Sequence, residues 1–396
     1  MLYSLETRCI HGGGTRIEDP YCAISTPIYQ TASFAHIKPG HNASGFDYTR
    51  ESNPTRTELE RTIASLEGAS DALAFSTGMA AAAACFELFR PGDRIVCSDD
   101  LYGGVVRLNS RVLEKRGVRV DYADTCLLSR DDFDTDSLFT PETRALYVET
   151  PSNPMMRVTD LRRAAEAAHR HGALLIVDNT FLSPYFQNPI SLGADLVIHS
   201  GTKFLAGHND TAAGFLCVAP GTAYQGEELA AFYRLTAKTT GAALAPFDSW
   251  LVLRGLKTLA VRMERQQATA RILADWLKNR PEVEKVHYVG LPEHPGYAVN
   301  RSQSRGAGSM ISFSVDSRET ALKLLSGVRL ITFAESLGGT ESLLTYPAVQ
   351  THPDVPEEIR ERLGITDRLL RLSVGLEAAE DLIGDLAAAM EGRHDI

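Results

Sequence analysis

Hydrophobic positions along the chain fall into short apolar runs separated by longer segments with helical periodicity. Five runs predict buried strands, at residues 72–75, 94–97, 145–148, 173–177 and 195–198. Strands that are apolar on both faces and separated by helices are typical of a mainly parallel sheet covered by helices on both sides. We therefore predict an α/β fold.

Helical patterns lie between and after these runs. Residues 58–66 and 79–89 predict helices, and residues 159–171 predict a third, with Thr159 as N-cap and Gly172 at its end. A long helix over 248–278 ends before Pro281, and it leads to a strand at 310–315 and a final helix at 378–390.

The chain of 396 residues is longer than one ordinary domain. In residues 1–47, Gly12–Gly14, Pro20, Pro27 and Pro39 interrupt every possible element. A segment like this is either a poorly ordered arm or one that wraps a neighbouring subunit, and we assign it as an arm that contacts a neighbouring subunit. We assign 48–250 to a large domain and 251–396 to a smaller C-terminal α/β domain.

Composition excludes several classes of protein. The net charge of −10 and the lack of a basic stripe argue against nucleic acid as a partner. The chain shows neither a signal peptide nor an apolar stretch of the ~20 residues that span a bilayer. We therefore expect a cytoplasmic protein. The six cysteines have no zinc-like spacing, and we interpret them as buried free thiols.

Candidate chemistry follows the strands, because ligands of open α/β sheets bind at the carboxyl ends of the strands. After 72–75, residues 76–79 (Ser-Thr-Gly-Met) open a helix whose amides suit a phosphate, although an ordinary capping turn is an equal alternative. Asp178 follows the fourth run and suits a pyridinium nitrogen, or else caps a turn.

Lys203 follows the fifth run, between hydroxyl residues and at the ligand end of the sheet. A partly desolvated lysine is a competent amine nucleophile towards an aldehyde. A strand-end aspartate, a strand-end lysine one βα unit later and an upstream phosphate cradle together match the needs of pyridoxal 5′-phosphate.

At this point the sequence resembles the Cys/Met-metabolism family of pyridoxal-phosphate enzymes of fold type I, most closely cystathionine γ-synthase and γ-lyase. The resemblance runs from Thr26 to Glu377. It is most specific in four stretches, at 48–55 (YTRESNPT), 178–180 (DNT), 200–204 (SGTKF) and 335–342 (ESLGGTES).

The resemblance implies how the cofactor is held. Lys203 would form the Schiff base, Asp178 would contact the ring nitrogen and Asn153 the ring hydroxyl, while Tyr102 would stack on the ring. The phosphate would be bound by Gly78, Met79, Ser200 and Thr202, joined by Tyr48 and Arg50 from the neighbouring subunit. A shared site implies at least a dimer, and the resemblance suggests a homotetramer.

The resemblance also implies chemistry at the γ-carbon of an amino acid. Arg371 and Ser336 would hold the substrate α-carboxylate. Lys203, once displaced, would take the Cα proton, and Tyr102 would be the candidate acid on the leaving group. The products would come from γ-elimination or from γ-replacement by a thiol, and the residues do not distinguish a lyase from a synthase.

Three positions bear on the substrate. Glu335 and Arg107 resemble the cystathionine branch, where they would meet a distal ammonium and a distal carboxylate. Gly104 stands where methionine γ-lyases carry a cysteine. Glu51 stands where some γ-synthases have a second arginine, which disfavours an O-succinyl substrate, unless it is a solvated loop residue.

Several alternatives remain beside this interpretation. Methionine γ-lyase and O-acetylhomoserine sulfhydrylase are the nearest alternatives. The short spacing between Asp178 and Lys203 fits an aminotransferase poorly. A non-catalytic regulator would be expected to lack the lysine or to carry a DNA-binding segment, and neither holds for this sequence. Residues 306–308 lack the third glycine of a dinucleotide site, and we assign residues 207–210 (GHND) to the loop after Lys203, so no metal is predicted.

Overall fold

The computed structural model describes residues 3–12, 21–39, 41–42, 44–353 and 355–393. Its helices in the first part of the chain are α1 Leu5–His11, α2 Pro54–Glu67, α3 Gly78–Phe86, α4 Gly103–Leu108, α5 Leu161–Arg170, α6 Ser183–Phe186, α7 Leu229–Thr240 and α8 Pro246–Leu256. Those that follow are α9 Leu259–Leu277, α10 Tyr297–Gln303, α11 Arg318–Gly327, α12 Pro347–Gln350, α13 Glu357–Leu363 and α14 Ala379–Glu391.

The strands form two main sheets. The first part of the chain contributes β1 Asp71–Phe75, β2 Arg94–Ser98, β3 Arg119–Ala123, β4 Thr143–Glu149, β5 Leu174–Asp178, β6 Leu196–Ser200 and β7 Gly214–Val218, followed by the short pair β8 Ala223–Tyr224 and β9 Glu227–Glu228. The last part contributes β10 Val283–His287, β11 Met310–Val315, β12 Thr332–Phe333, β13 Leu343–Thr345 and β14 Leu369–Ser373.

The first sheet has seven strands in the order β1-β7-β6-β5-β4-β2-β3. Strand β7 pairs antiparallel with both β1 and β6, and the other pairs are parallel. Within β5, Leu175 and Val177 pack into one hydrophobic core while Leu174 and Ile176 pack into the other. Both faces of the sheet are therefore covered, which confirms the predicted fold class of a mainly parallel sheet with a smaller C-terminal α/β domain.

All five predicted strands form, and two strands of this sheet, β3 and β7, were not predicted. The C-terminal sheet has five strands in the order β10-β11-β14-β13-β12. The predicted boundary at residue 250 lies inside α8, and the division into domains stays a prediction.

The expectation that the first 47 residues form no element is wrong. Helix α1 begins after Ser4, whose hydroxyl accepts a hydrogen bond from the amide of Thr7 at 3.5 Å. Cys9 is buried in the core, and the guanidinium of Arg8 donates to the carbonyl of Ser65 in α2. Packing against a neighbouring helix thus stabilises a segment too short to be helical alone. The predicted breaks at Gly13, Gly14 and Pro20 lie outside the described residues.

Of the two predictions about the ends of helix α5, the N-cap is wrong and the C-terminal glycine is found as expected. Asp160, not Thr159, caps α5, because its carboxylate accepts from the amides of Arg162 at 3.1 Å and Arg163 at 3.2 Å. Thr159 instead hydrogen-bonds Thr125, at 2.6 Å between the hydroxyl oxygens. Gly172 follows the helix with a φ of 65°, as expected of the residue after a helix C-cap.

The predicted helix 248–278 is two helices, α8 and α9, separated at Lys257 and Thr258. Arg262 stabilises the break. Its buried guanidinium donates to the carbonyls of Gly255 at 2.9 Å and Phe204 at 2.8 Å, which satisfies a carbonyl at the end of α8.

The cysteine prediction holds in part. Cys9, Cys85, Cys97 and Cys217 are buried, whereas Cys126 is half-buried and Cys22 is exposed. Cys22 lies in a segment without helix or strand, so no packed layer covers it. None of the helices in the described part of the chain is long and apolar enough to cross a membrane.

Candidate active site

The carboxyl ends of β1, β4, β5 and β6 surround a cavity of about 220 Å³. Eleven of the fourteen predicted site residues line it, namely Gly78, Met79, Tyr102, Asn153, Asp178, Ser200, Thr202, Lys203, Glu335, Ser336 and Arg371. A larger groove of about 950 Å³ runs between residues 99–158 and 278–363, but none of the predicted site residues lines it. The smaller cavity is therefore the candidate active site.

Lys203 lies in the turn after β6, and its side chain is largely buried. Its ammonium donates to the hydroxyl oxygen of Ser336 at 2.8 Å. Burial, and then the charge of Arg371, lowers the pKa of Lys203 to about 8, with Glu335 opposing both effects. A substantial fraction of the amine is therefore neutral, and nucleophilic, near physiological pH.

Ser336 reaches Lys203 from an uncommon backbone conformation. Its φ is 102°, a region that residues other than glycine rarely occupy. Such conformations persist where the surroundings determine them, and they concentrate at functional sites. Arg371 is one such neighbour, because its guanidinium donates to the Ser336 carbonyl at 3.2 Å.

Arg371 lies on β14 and is fully buried at the cavity wall. It also donates to the side-chain oxygen of Asn153 at 2.6 Å and to the Thr345 hydroxyl at 3.2 Å. Its Nε is buried and has no partner among the described residues. Burial lowers the pKa of Arg371 to about 10, so the side chain remains cationic at neutral pH and suits an incoming carboxylate.

Asp178 ends β5 at the floor of the cavity. One carboxylate oxygen accepts from Thr180 twice, from the amide at 3.0 Å and from the hydroxyl at 2.5 Å. Burial raises the pKa of Asp178, while the two Thr180 bonds and the nearby His199 favour the ionised form.

The opposite wall begins at helix α3. Thr77 caps this helix through its hydroxyl, which accepts from the amide of Ala80 at 3.0 Å. A Cβ on Gly78 would lie 2.8 Å from the Cβ of Ser200, so only glycine permits this approach of helix to strand end. The first turn of a helix presents amides without helical partners, which suits an anion.

Tyr102 opens helix α4 and borders the cavity. Burial, and then the charge of Glu335, raises the pKa of its hydroxyl, whereas Arg107 and Arg371 lower it. A Cβ on Gly104 would lie 2.4 Å from Cε1 of Tyr102, so the glycine allows the ring to pack back over the start of its own helix.

Three predicted site residues do not line the cavity. Tyr48 and Arg50 lie in an exposed turn, where the Arg50 guanidinium stands 5.5 Å from the centre of the Tyr48 ring and donates to the carbonyl of Lys238. Arg107 lies in the last turn of α4, the helix that Tyr102 opens. The roles of Tyr48 and Arg50 across a subunit interface stay predictions.

Sequence reasoning missed several residues at the cavity. Glu149 ends β4 and lines the cavity, and reading the residue directly after the run 145–148 would have found it. Thr180 and Phe181 also line it. His352 does not line the cavity, but its buried ring lies next to it, with Nε2 3.1 Å from the carbonyl oxygens of Leu101 and Asn153, and no local pattern predicts contacts so distant in sequence.

These residues fit pyridoxal phosphate. One small cavity is surrounded by four features that each match a different part of the cofactor. They are the buried carboxylate of Asp178, the amine of Lys203 with its lowered pKa, the first turn of α3 at Gly78 and the ring of Tyr102. Bound there, the cofactor would have its phosphate beside α3 and Ser200, its ring nitrogen towards Asp178 and its aldehyde carbon towards Lys203.

The family model "Cys/Met metabolism PLP-dependent enzyme" matches residues 6–391. The chain is 45% identical over 386 residues to a cystathionine gamma-lyase of Bacillus subtilis (strain 168), covering 98% of this chain and 99% of that protein. It is also 45% identical over 388 residues to a cystathionine beta-lyase of Lactococcus lactis subsp. cremoris (strain MG1363), with 98% and 99% covered.

A solved structure of cystathionine gamma synthase from Xanthomonas oryzae pv. oryzae, in complex with aminoacrylate and cysteine, superposes with a TM-score of 0.92 at 38% identity and covers 98% of each chain. The predicted resemblance is confirmed, and a β-lyase, which sequence reasoning did not consider, joins the relatives. The chain belongs to the Cys/Met-metabolism family of pyridoxal-phosphate-dependent enzymes, as an enzyme of the cystathionine lyase and synthase kind.

Proposed function

We propose that the protein is a cystathionine γ-lyase, which cleaves L-cystathionine to cysteine, 2-oxobutyrate and ammonia. One observation carries the choice of substrate. Glu335 lines the cavity with Tyr102, and Arg107 lies on α4, the helix that Tyr102 opens. The two opposite charges shift the pKa of the Tyr102 hydroxyl in opposite directions, Glu335 raising it and Arg107 lowering it.

A pair of opposite charges, with Glu335 at the cavity and Arg107 outside its lining on α4, suits a substrate whose far end is itself an amino acid. The distal ammonium of cystathionine would meet Glu335, which is exposed at the cavity mouth, and its distal carboxylate would meet Arg107. Methionine and acetylhomoserine carry no charge at that end, so they would make neither contact.

The residues around the cavity account for the steps of the reaction. Arg371 binds the α-carboxylate through its guanidinium, and Asn153 and Thr345 fix the plane of that group. Bound pyridoxal phosphate supplies the electron sink for the pair left at Cα. The Lys203 amine would take the Cα proton and, once free of it, a second proton from Cβ. The electron pair left at Cβ would form the Cβ–Cγ double bond as the Cγ–S bond breaks, and the Tyr102 hydroxyl would donate a proton to the departing sulfur.

The β-lyase relative gives a second candidate, because the same charges would bind cystathionine for cleavage on the other side of sulfur. Purified enzyme should therefore be incubated with L-cystathionine and its products identified by mass spectrometry. We expect 2-oxobutyrate and cysteine, whereas pyruvate and homocysteine would identify a β-lyase. In a parallel incubation with cysteine and an acylhomoserine, formation of cystathionine by an enzyme that does not cleave it would identify a γ-synthase.

The distal contacts are tested by Glu335→Gln and Arg107→Gln. Loss of one charge-assisted contact of about 1.5–3 kcal/mol raises KM for cystathionine roughly 10- to 100-fold. Elimination from O-acetylhomoserine, which has no distal charge, should keep its KM. Arg111→Gln, an exposed arginine just beyond α4, is the matched control. Equal effects on both substrates would contradict the distal assignment.

A further inference from the structure

Three buried or half-buried carboxyl groups lie together at the carboxyl ends of the central strands. Asp100 follows β2, Glu149 ends β4 and Asp178 ends β5, and Glu149 stands directly opposite Asp178 in the parallel pairing. Like charges so close in a buried site disfavour ionisation of all three. At least one of these groups is therefore expected to carry a proton.

Their hydrogen bonds distinguish the three. One oxygen of Asp178 accepts two bonds from Thr180, and one oxygen of Asp100 accepts from the Ser152 hydroxyl and from the amide of Met155 at 3.1 Å. Glu149 accepts a single bond of this kind, from the amide of Tyr102 at 2.9 Å. Fewer donors stabilise the ionised form less, which assigns the proton to Glu149.

The groups that face Glu149 support this assignment. Burial raises the pKa of Glu149 well above its ordinary value, and the charges of Asp178 and Asp100 raise it further. Arg371, from β14, lowers it, as does the Tyr102 amide bond. Tyr147, on the same strand, is fully buried and neutral, because burial raises the pKa of its hydroxyl as well.

The bond from Tyr102 to Glu149 has a structural consequence. Tyr102 is the N-cap of α4, and its side chain caps no helix amide. Its own amide is held by the carboxyl of Glu149, and Gly104 leaves room for its ring. The Glu149 carboxyl thus sets where α4 begins and where the Tyr102 ring stands.

We propose that Glu149 is a positioning residue that, in its protonated form, holds Tyr102 at the cofactor cavity without adding a negative charge beside Asp178. A neutral carboxyl leaves the anionic role at the ring nitrogen to Asp178 alone. The proposal does not depend on which sulfur amino acid is cleaved, so its test is independent of the γ-lyase assignment.

The protonation state is tested by infrared difference spectroscopy of holoenzyme, wild type minus Glu149→Gln, at pH 8. We expect a protonated-carboxyl C=O band that persists from pH 6 to pH 9. Glu142→Gln, which removes an exposed carboxylate just before β4, should give only ionised-carboxylate bands. The proposal would be overturned if the difference spectrum of wild type minus Glu149→Gln showed only the bands of an ionised carboxylate.

The positioning role is tested by the cofactor's absorption and circular dichroism, which need no substrate. Glu149→Gln keeps a neutral acceptor for the Tyr102 amide, so the dichroism per bound cofactor should stay within about twofold of wild type, with an unchanged pH midpoint. Glu149→Leu removes the acceptor and should at least halve that dichroism.

The pH midpoint of the cofactor's absorption in Glu149→Gln also shows whether Glu149 is protonated or ionised in the wild type. A fall of the absorption midpoint by a full pH unit in this variant would mean that a negative charge had been removed, which would contradict a protonated Glu149. Should Glu149→Leu fail to fold, the infrared measurement and the Gln midpoint still decide the question.

Discussion

At the scale of single residues, Lys203 is the group whose surroundings most change its chemistry. Its pKa of about 8 comes first from burial and then from the charge of Arg371. Only the neutral amine attacks an aldehyde. In protein stripped of cofactor, the rate of pyridoxal phosphate capture should therefore rise about tenfold per pH unit below pH 8 and level off above it.

Stopped-flow absorbance measures this rate, and Ser336→Ala is the informative variant. The Ser336 hydroxyl oxygen accepts a hydrogen bond from the Lys203 ammonium, so its removal favours the neutral amine and should move the midpoint to lower pH. Ser326→Ala, an exposed helix position, should leave the midpoint unchanged. A midpoint near 10.5, the ordinary value for lysine, would contradict the effect of burial.

At the scale of elements, the sequence predicted what local pattern and strand-end position determine. The five core strands and the residues that follow them are set by apolar runs, which explains why Asp178 and Lys203 could be found. The break between α8 and α9 is stabilised by Arg262 and carbonyls from two segments, and α1 is stabilised by packing against α2. Contacts between distant segments leave no local pattern, so these features could not be predicted.

The same limit applies to the candidate site. Ser336, Arg371 and Glu335 were found only through resemblance to a family, because they come from the C-terminal part of the chain and approach the sheet ends in space. The hydrogen bonds among Arg371, Asn153 and Thr345 join three separate segments. Apolar periodicity carries no information about such side-chain contacts.

The close approach of α3 to β6 gives a prediction at this scale. Gly78→Ala places a Cβ 2.8 Å from the Cβ and 2.9 Å from the Cα of Ser200, so the helix start must move away from the strand. Overpacking of this kind costs about 1–3 kcal/mol. We expect a lower Tm and roughly tenfold weaker binding of pyridoxal phosphate, measured by thermal melts and by cofactor titration.

Gly384→Ala is the matched control for that variant. Gly384 lies in α14, where an added Cβ meets nothing within 4 Å. Alanine in a helix interior stabilises by about 0.5–1 kcal/mol relative to glycine, so this variant should have an equal or higher Tm and unchanged cofactor affinity. A Gly78→Ala protein that behaves like the control would show that the approach is not tight.

At the scale of the whole molecule, the cavity contains every predicted cofactor residue except Tyr48 and Arg50. These two lie together in an exposed turn beside α7, where the guanidinium of Arg50 is held by the carbonyl of Lys238. An ordered, exposed pair of this kind is available to a neighbouring subunit. We therefore expect a two-fold dimer in which the turn of each protomer lies beside the cavity of the other.

Complementation between inactive variants tests this arrangement. A Tyr48→Phe/Arg50→Leu variant keeps Lys203, and a Lys203→Ala variant keeps the turn, so a hybrid dimer has one complete site. Random assembly makes half of the dimers hybrid, and co-refolded mixtures should recover about a quarter of wild-type activity. Mixing Lys203→Ala with Lys203→Gln restores no site and is the control. If the turn acts within its own chain, the first mixture stays as inactive as the second, because neither protomer then supplies what the other lacks.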